Sequence, residues 1–307
     1  MGYDIGEKGV NINMKAWFLE TRPQFLILSV VLAFLGTSMA WFDGYFNLGR
    51  ALLAGFGLLL THISVNTLND YFDYRSGIDL KTQRTPFSGG SGMLPTKAMK
   101  PVQVFWLGTT SLIIAAGIGI YFIFVAGWQL LPLLLIAGLC IVLYTPLILK
   151  TPSPEWAAGL GLGTLPILGM YFIQTGTYSP HAIIASIPSG ILVYNLLLLN
   201  EFPDISADKT AARKTLPITA GLKNAGIVYT VTTILTYVWI IGAVIAGVMP
   251  VFTLIALLTS LFAIKAIQGA MQSADMTKLV PGMANNVLVV LITQLLLGVG
   301  YILGTVL

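Results

Sequence analysis

The sequence has few charged residues for its length. Of its 307 residues only 9% are charged, while 56% are hydrophobic. Soluble domains carry roughly a quarter charged residues, so this chain has too few to cover the surface of a water-soluble globule of its size. Disordered chains are poor in Leu, Ile, Val and Phe, which excludes disorder as well. The composition indicates an integral membrane protein.

Cysteine, histidine and basic residues are also scarce. The single cysteine, Cys140, lies in an apolar run, which excludes an intrachain disulfide and a cysteine metal cluster. The two histidines, His62 and His181, are isolated, and a lone helical histidine is usually packed or hydrogen-bonded. The 16 Lys and Arg residues are dispersed, which fits basic loops facing anionic lipid better than a nucleic-acid surface. The first 22 residues do not resemble a secretory signal, so we expect the first apolar segment to remain as an anchor.

Apolar segments of about 20 residues, the length that spans a bilayer, recur along the chain. Nine of them can be marked, near 24–42, 51–70, 102–125, 128–149, 156–175, 182–200, 225–248, 251–268 and 286–306. They predict an all-α polytopic membrane protein with nine transmembrane helices, forming a single domain over residues 1–307.

The basic residues predict the orientation of these spans. With nine spans, 15 of the 16 basic residues fall on one side of the membrane, and only Arg50 falls on the other. The positive-inside rule then places the amino terminus and the two long polar connections, about 71–101 and 201–224, in the cytoplasm. The carboxyl terminus is predicted to lie outside, in a protein of the cell membrane.

Two acidic clusters end the second and the sixth predicted spans, on the same side of the membrane. Each places an asparagine and two aspartates at helical spacing, near one helix face, although Pro203 can distort the second cluster. The first two corresponding pairs, Asn66 with Asn200 and Asp70 with Asp204, are each 134 residues apart, which indicates a weak internal repeat relating spans 1–4 to spans 5–8. The members are Asn66, Asp70 and Asp73 in the first cluster and Asn200, Asp204 and Asp208 in the second.

These six side chains are the predicted metal ligands. Clustered carboxylates near a membrane repel one another unless they bind a cation, and oxygen ligands without His or Cys favour Mg²⁺. Since Mg²⁺ usually takes one or two carboxylates plus water and phosphate, the pattern predicts a cradle for a Mg²⁺-bound diphosphate. The alternative is a pair of solvated acidic helix ends, but an anion at a helix carboxyl end opposes the macrodipole.

Basic residues flank both clusters and are candidates for binding phosphate oxygens that a metal does not reach. Asn66 is expected to contact the diphosphate as well. For any one of these cations, the positive-inside bias is a full alternative explanation. The candidates are Arg22, Lys81, Arg84, Lys150, Arg213 and Lys214.

The paired motifs resemble the UbiA superfamily of intramembrane prenyltransferases. The segment Asn66–Asp79 is similar to that family's first aspartate motif and Asp204–Asp208 to its second, and the nine-span pattern agrees. The ubiquinone-type branch usually has a carboxylate where Gly77 stands. The Gly-x-Asp ending and the segment Arg213–Leu216 are more like the menaquinone-type branch, the 1,4-dihydroxy-2-naphthoate prenyltransferases.

The resemblance implies a ring of helices around a lipid-accessible cavity, an allylic isoprenyl diphosphate as donor and Mg²⁺ as cofactor. It implies an aromatic acceptor, as in quinone biosynthesis, although branches share the donor site. The alternative acceptor is a glycerol phosphate ether lipid precursor, whose hydroxyl needs a base such as Asp79 or Glu201. The implied catalytic residues are Asp70, Asp73, Asp204, Asp208 and Tyr144, the last because similar tyrosines lie near the diphosphate.

Apolar and aromatic side chains are expected to line the cavity, because a carbocation must be kept from water. The candidates are Phe25, Trp106, Tyr144 and Tyr171. The glycine-rich segment 86–92 lacks the Lys-Ser/Thr ending of a nucleotide P-loop, so we expect a flexible lid over the acidic clusters.

Two rival functions use the same residues. An ion-coupled secondary transporter could bind its coupling ion at matched acidic helix ends, but transporter sites lie near the midplane. A metal-dependent alcohol phosphotransferase would also use aspartates and Mg²⁺, but its Asp-Gly and Ala-Arg signature is absent. A purely structural membrane protein leaves both motifs unexplained.

Overall fold

The computed structural model describes residues 13–307. Lys8, which enters the orientation count above, lies outside the described residues. Within residues 13–307 the chain is helical and contains no strand. This is the expected outcome for an apolar chain in lipid, since a helix satisfies its backbone hydrogen bonds internally.

The helices are numbered in chain order. They are α1 Met14–Glu20, α2 Pro23–Phe42, α3 Leu48–Ser76, α4 Pro101–Ala126, α5 Leu131–Val142, α6 Glu155–Gly159, α7 Leu165–Thr175, α8 Pro180–Asn200, α9 Ile205–Thr210, α10 Leu216–Thr219, α11 Leu222–Ile245, α12 Ser260–Met271 and α13 Met276–Val306. Two 3₁₀ segments, Trp128–Leu130 and Val251–Thr259, lead into α5 and α12, and a π-helical turn, Leu160–Thr164, joins α6 to α7.

Eight helical segments of the described chain are long and apolar enough to cross a membrane. They match eight of the nine predicted spans. The remaining one, predicted over 128–149, is the shorter apolar helix Trp128–Val142. Its sequence is apolar up to residue 149, but Pro146 disfavours helix in the residue before it, and the chain turns after Val142. The eight long segments are Pro23–Phe42, Leu48–Ser76, Pro101–Ala126, Glu155–Thr175, Pro180–Asn200, Leu222–Ile245, Val251–Met271 and Met276–Val306.

Local signals in the sequence fix several helix ends. Pro23, Pro101 and Pro180 occupy the first position of α2, α4 and α8, where the missing N–H costs nothing. At the other end of α3, Gly77 adopts the left-handed conformation with φ 79° and terminates the helix. The helix therefore runs six residues beyond the predicted end at 70, and the whole first acidic cluster lies on regular helix.

The last helix packs against the first long helix, so the bundle is closed. Neighbours in sequence pack together, and α13 returns to pack along α2. Small residues allow the closest approaches: a Cβ added to Gly269 of α12 would lie 2.6 Å from the Cα of Gly282 on α13. The polytopic all-α architecture is thus confirmed, whereas the internal repeat stays a prediction.

Candidate active site

The second acidic cluster spans a break between two helices. Helix α8 ends at Asn200, residues 201–204 form turns, and α9 begins at Ile205. Pro203 accounts for the break, because it lacks an N–H and its ring clashes with the preceding helical turn. The prediction that Asn200, Asp204 and Asp208 lie on one face of a continuous helix is therefore wrong. Asn200, Asp204 and Asp208 nevertheless line the same cavity.

This cavity opens between the ends of α3 and α8 and contains about 1270 Å³ of space, including its open mouth. Its walls are polar where the two acidic clusters lie and apolar farther along the helices, where Leu28, Val65, Leu162 and Val193 line it. This lining suits a ligand with one charged end and an apolar remainder.

Arg213 joins the two acidic clusters. Its guanidinium forms an ion pair with Asp73 on α3, and its Nη1 donates a hydrogen bond of 2.9 Å to Oδ1 of Asp208 on α9. Burial alone would lower the pKa of Arg213, but the two carboxylates outweigh it and raise that pKa above its ordinary value. The structure thus brings together two motifs that are far apart in sequence.

Asp70 takes a different position from Asn66 and Asp73. The latter two line the cavity, whereas Asp70 is buried beside it and its Oδ2 accepts a 2.7 Å hydrogen bond from the Ser91 backbone N–H. At 3.6 residues per turn, Asp70 is rotated by about 40° from Asn66, toward this loop. Arg22 Nη1 lies 3.8 Å from the other oxygen of Asp70.

The predicted phosphate-binding cations divide into two groups. Arg22 and Arg213 line the cavity, together with Asn66. The side chains of Lys81, Lys150 and Lys214 are exposed and do not line it. Arg84 also lies off the cavity wall, because it donates hydrogen bonds to the loop carbonyls of Gly89 and Gly90.

The four aromatic candidates also divide. Phe25 and Tyr144 line the cavity, and Arg22 lies over the Phe25 ring at 4.9 Å from its centre. Trp106 is 55% exposed and lies outside the cavity wall. Tyr171 lines a separate cavity at the opposite end of the helices, where its hydroxyl donates to Asp43. The cavity-lining prediction is therefore wrong for Trp106 and Tyr171, since apolar composition alone does not show which way a helix face points.

Burial sets the protonation of the cavity carboxyls outside the spanning helices. It raises the pKa of Asp204 to about 7, with Asp208 as the next cause, and it raises the pKa of Asp208 to about 6. The pKa of Asp79 rises to about 8, because of burial and then the charges of Asp70 and Asp73. A bound cation would favour the charged forms of all three.

The oxygen atoms of the site fit Mg²⁺. Among the predicted metal ligands, three buried side-chain oxygens have no hydrogen-bond partner: Oδ1 of Asp70, of Asn200 and of Asp204. Within residues 13–307 no three His, Cys, Asp or Glu side chains converge to hold one ion. The free oxygens belong to carboxylate and amide groups, which suit an ion such as Mg²⁺ that takes one or two carboxylates and completes its shell with water and phosphate.

Comparison with known proteins decides the family. Residues 28–281 match the UbiA prenyltransferase family, which is most of the chain. The chain belongs to this family. A 1,4-dihydroxy-2-naphthoate octaprenyltransferase of Bacillus subtilis (strain 168) is 33% identical over 257 residues, covering 82% of this chain and 81% of that protein. A digeranylgeranylglyceryl phosphate synthase of Pyrococcus furiosus is 25% identical over 249 residues, covering 78% and 79%.

Solved structures of UbiA proteins share the fold. A UbiA homolog from Aeropyrum pernix K1 superposes with a TM-score of 0.70 at 17% identity, covering 91% of this chain and 97% of that one. A UbiA homolog from Archaeoglobus fulgidus, bound to GPP and Mg²⁺, gives 0.62 at 15% identity, covering 94% and 99%. This UbiA-family chain is therefore a membrane prenyltransferase.

Two buried glutamates of this UbiA enzyme had no signal in the sequence. Glu20 ends α1, is 0% exposed, and accepts a 2.6 Å hydrogen bond from the Ser91 hydroxyl. Burial and then Asp70 raise its pKa to about 8. Glu155 accepts from the Leu216 backbone N–H and so holds the loop that carries Arg213. Neither belongs to a motif, and only their tertiary contacts reveal them.

Proposed function

We propose that this prenyltransferase depends on Mg²⁺ and transfers the prenyl group of an isoprenoid diphosphate to an aromatic acceptor. The observation that carries the proposal is the meeting of the two acidic clusters at Arg213, at the open end of an apolar cavity. A diphosphate would be repelled by these carboxylates alone. A divalent cation reverses that repulsion, and the apolar walls suit the isoprenoid tail.

The ion would be held by the predicted ligands, with Asp73, Asp204 and Asp208 on the cavity wall. When bound, Mg²⁺ supplies the positive charge that stabilises the departing diphosphate. Arg22 and Arg213 supply guanidinium groups for the phosphate oxygens that remain. The other predicted ligands are Asn66, Asp70 and Asn200.

The remaining chemistry requires that water be excluded from the allylic cation, and it does not require an activated nucleophile. The allylic carbon–oxygen bond breaks and its electron pair leaves with the diphosphate. A ring carbon of the acceptor then uses a π-electron pair to form the new carbon–carbon bond, and the ring loses a proton. Apolar walls exclude water from the allylic cation, and the ring faces of Phe25 and Tyr144 stabilise it by about 0.5–2 kcal/mol each.

The aromatic acceptor is favoured by the relatives. The Bacillus subtilis 1,4-dihydroxy-2-naphthoate octaprenyltransferase is 33% identical, against 25% for the digeranylgeranylglyceryl phosphate synthase of Pyrococcus furiosus. A glycerol phosphate acceptor is the second candidate, because Asp79 lines the cavity and its pKa of about 8 suits a base for a hydroxyl group.

The test offers one radiolabelled prenyl diphosphate to the purified protein with each acceptor separately. We expect a prenylated product from 1,4-dihydroxy-2-naphthoate with Mg²⁺ and none in saturating chelator. Asp73→Asn and Asp208→Asn are expected to lower turnover by roughly a hundredfold or more. The matched control is Asp275→Asn, at an exposed residue that caps α13 and does not line the cavity.

Each negative result contradicts a different part of the proposal. Product from the glycerol phosphate alone would overturn the aromatic acceptor and leave the donor site intact. Full turnover in chelator would overturn the role of the metal. Equal losses in Asp73→Asn and Asp275→Asn would contradict the assignment of the site.

A further inference from the structure

The glycine-rich segment 85–92, here called the glycine loop, crosses the mouth of the cavity. Near its start, Phe87 packs against a buried hydrophobic cluster that is built from residues of α8, α11, α12 and α13. Four of its residues, 87–90, line the cavity. At its other end, Ser91 contacts α1 and α3. The loop therefore bridges two groups of helices on opposite sides of the site.

Ser91 attaches this second end to two carboxylates at once. Its hydroxyl donates a 2.6 Å hydrogen bond to Oε2 of Glu20, and its backbone N–H donates one of 2.7 Å to Oδ2 of Asp70. Gly90 makes the close approach possible, since a Cβ there would lie 3.1 Å from Oδ1 of Asp70. Gly90 also has a φ of 71°, which favours glycine.

The burial of Glu20 has no explanation within its own helix. Asn13 caps the start of α1, and Glu20 forms no ion pair within residues 13–307. Its Oε1 is buried without a partner, so the Ser91 hydroxyl is the only described hydrogen-bond donor to this carboxylate. Burying a carboxylate is costly unless hydrogen bonds compensate. The hydrogen bond from Ser91 therefore compensates for part of the cost of burying Glu20, and it ties Glu20 to the glycine loop.

We propose that Glu20 is a positioning residue of the prenyl-transfer site: by holding Ser91, it keeps the glycine loop over the cavity and orients Asp70. This inference rests on the proposed function. Without Glu20 the second end of the loop keeps the backbone hydrogen bond from Ser91 to Asp70 and the packing of Leu94 in a cluster with Ala16 of α1, but it loses its side-chain hydrogen bond to α1. An open loop admits water to the allylic cation, which is then lost as prenyl alcohol. A misoriented Asp70 weakens binding of the prenyl diphosphate.

The test compares Glu20→Ala, Ser91→Ala and the double variant, with two readouts. One is the ratio of prenyl alcohol to prenylated acceptor, together with KM for the prenyl diphosphate. The other is the rate of trypsin cleavage after Arg84 in the ligand-free protein, which requires no activity. Glu20→Gln keeps an oxygen acceptor for Ser91. Thr96→Ala is the matched control, since its hydroxyl bonds only to nearby loop carbonyls.

We expect Glu20→Ala and Ser91→Ala each to raise the alcohol ratio and the cleavage rate by about fivefold, the usual net effect of one hydrogen bond. The double variant should match either single one, because both remove the same bond. KM should rise more than kcat falls, Glu20→Gln should recover most of the loss, and Thr96→Ala should behave as wild type.

Several results would overturn the inference. Additive effects in the double variant would show that Glu20 and Ser91 act separately. Normal cleavage and a normal alcohol ratio in both single variants would show that Glu20 does not hold the loop. If Glu20→Ala does not accumulate, the comparison of Ser91→Ala with Glu20→Gln decides in the same way. Failure of the wild type to prenylate either acceptor would overturn the proposed function, whereas the cleavage assay tests the attachment independently.

Discussion

Replacing Arg213 with glutamine tests the idea that the guanidinium and Mg²⁺ share one set of carboxylates. In the structure Arg213 pairs with Asp73 and Asp208, and these three side chains are 13%, 11% and 4% exposed. Removing one partner of a buried ion pair costs about 3–5 kcal/mol, because a charge is left unpaired. Since water reaches part of the site, we expect Arg213→Gln to lose about 3 kcal/mol of unfolding free energy in chelator.

Mg²⁺ should remove much of this deficit. An ion that binds only the folded state adds RT ln(1 + [Mg²⁺]/Kd), which is about 2.7 kcal/mol at a hundred times Kd. In the wild type the ion must compete with the guanidinium, whereas in Arg213→Gln it does not. The gain on adding Mg²⁺ should therefore be larger in the variant. Unfolding in one detergent, followed in chelator and across a Mg²⁺ titration, measures both quantities.

Although Mg²⁺ should restore the stability of Arg213→Gln, it should not restore its turnover. Even in saturating Mg²⁺, Arg213→Gln lacks a charged donor for the diphosphate, and such a hydrogen bond contributes about 1.5–3 kcal/mol. We expect kcat/KM to fall by roughly 10- to 150-fold. Lys214→Gln is the matched control, because Lys214 is the next residue and its exposed side chain contacts neither acidic cluster. It should leave all three measurements unchanged.

If Arg213→Gln is as stable as the wild type in chelator, the ion pairs of Arg213 do not stabilise the fold. If Mg²⁺ stabilises both proteins by the same amount, the ion and the guanidinium use different carboxylates, which contradicts the prediction. A loss in Lys214→Gln as large as that in Arg213→Gln would point to the charge of the loop rather than to the ion pair.

Two further predictions concern packing and orientation. Gly269→Ala should destabilise the protein by about 1–3 kcal/mol, because its Cβ would meet the α13 backbone; Gly242→Ala, whose Cβ has open space, should be neutral or slightly stabilising. Thermal unfolding of the two variants decides, and equal losses would contradict the close packing. Cysteines replacing Lys81 and Ala212 should react with an impermeant thiol reagent from the cytoplasm, and one replacing Tyr178 from outside. Labelling of 81 and 212 from opposite sides would rule out a shared cytoplasmic site.

Much of the fold could be predicted because lipid makes composition informative. A segment of about 20 apolar residues has few alternatives to a spanning helix, and proline and glycine mark several of the ends. The segment 128–149 was harder, because its apolar count is sufficient while its length as helix depends on Pro146. Trp106 and Tyr171 show the same limit, since an all-apolar helix gives no periodicity to indicate its inner face.

The site could be predicted in part. Matched spacing at two helix ends of the same orientation was enough to expect the clusters to meet. Arg213 and Lys214 are adjacent basic residues, and only the path of the loop separates the one that pairs with Asp73 from the one that faces solvent. The role of Glu20 could not be predicted, because its single hydrogen-bond partner lies 71 residues away in a loop without regular structure.

The short fourth span, which contains α5, has a consequence for the surrounding bilayer. Trp128–Val142 has three residues of 3₁₀ helix and twelve of α-helix, which extend about 24 Å. The hydrocarbon layer is about 30 Å thick, so on this flank the membrane must thin or polar backbone must enter it. Cys140, Ile141 and Tyr144, at the end of this span, form part of the cavity wall. Part of the wall that encloses the site is therefore built from an apolar helix that is shorter than the hydrocarbon layer is thick.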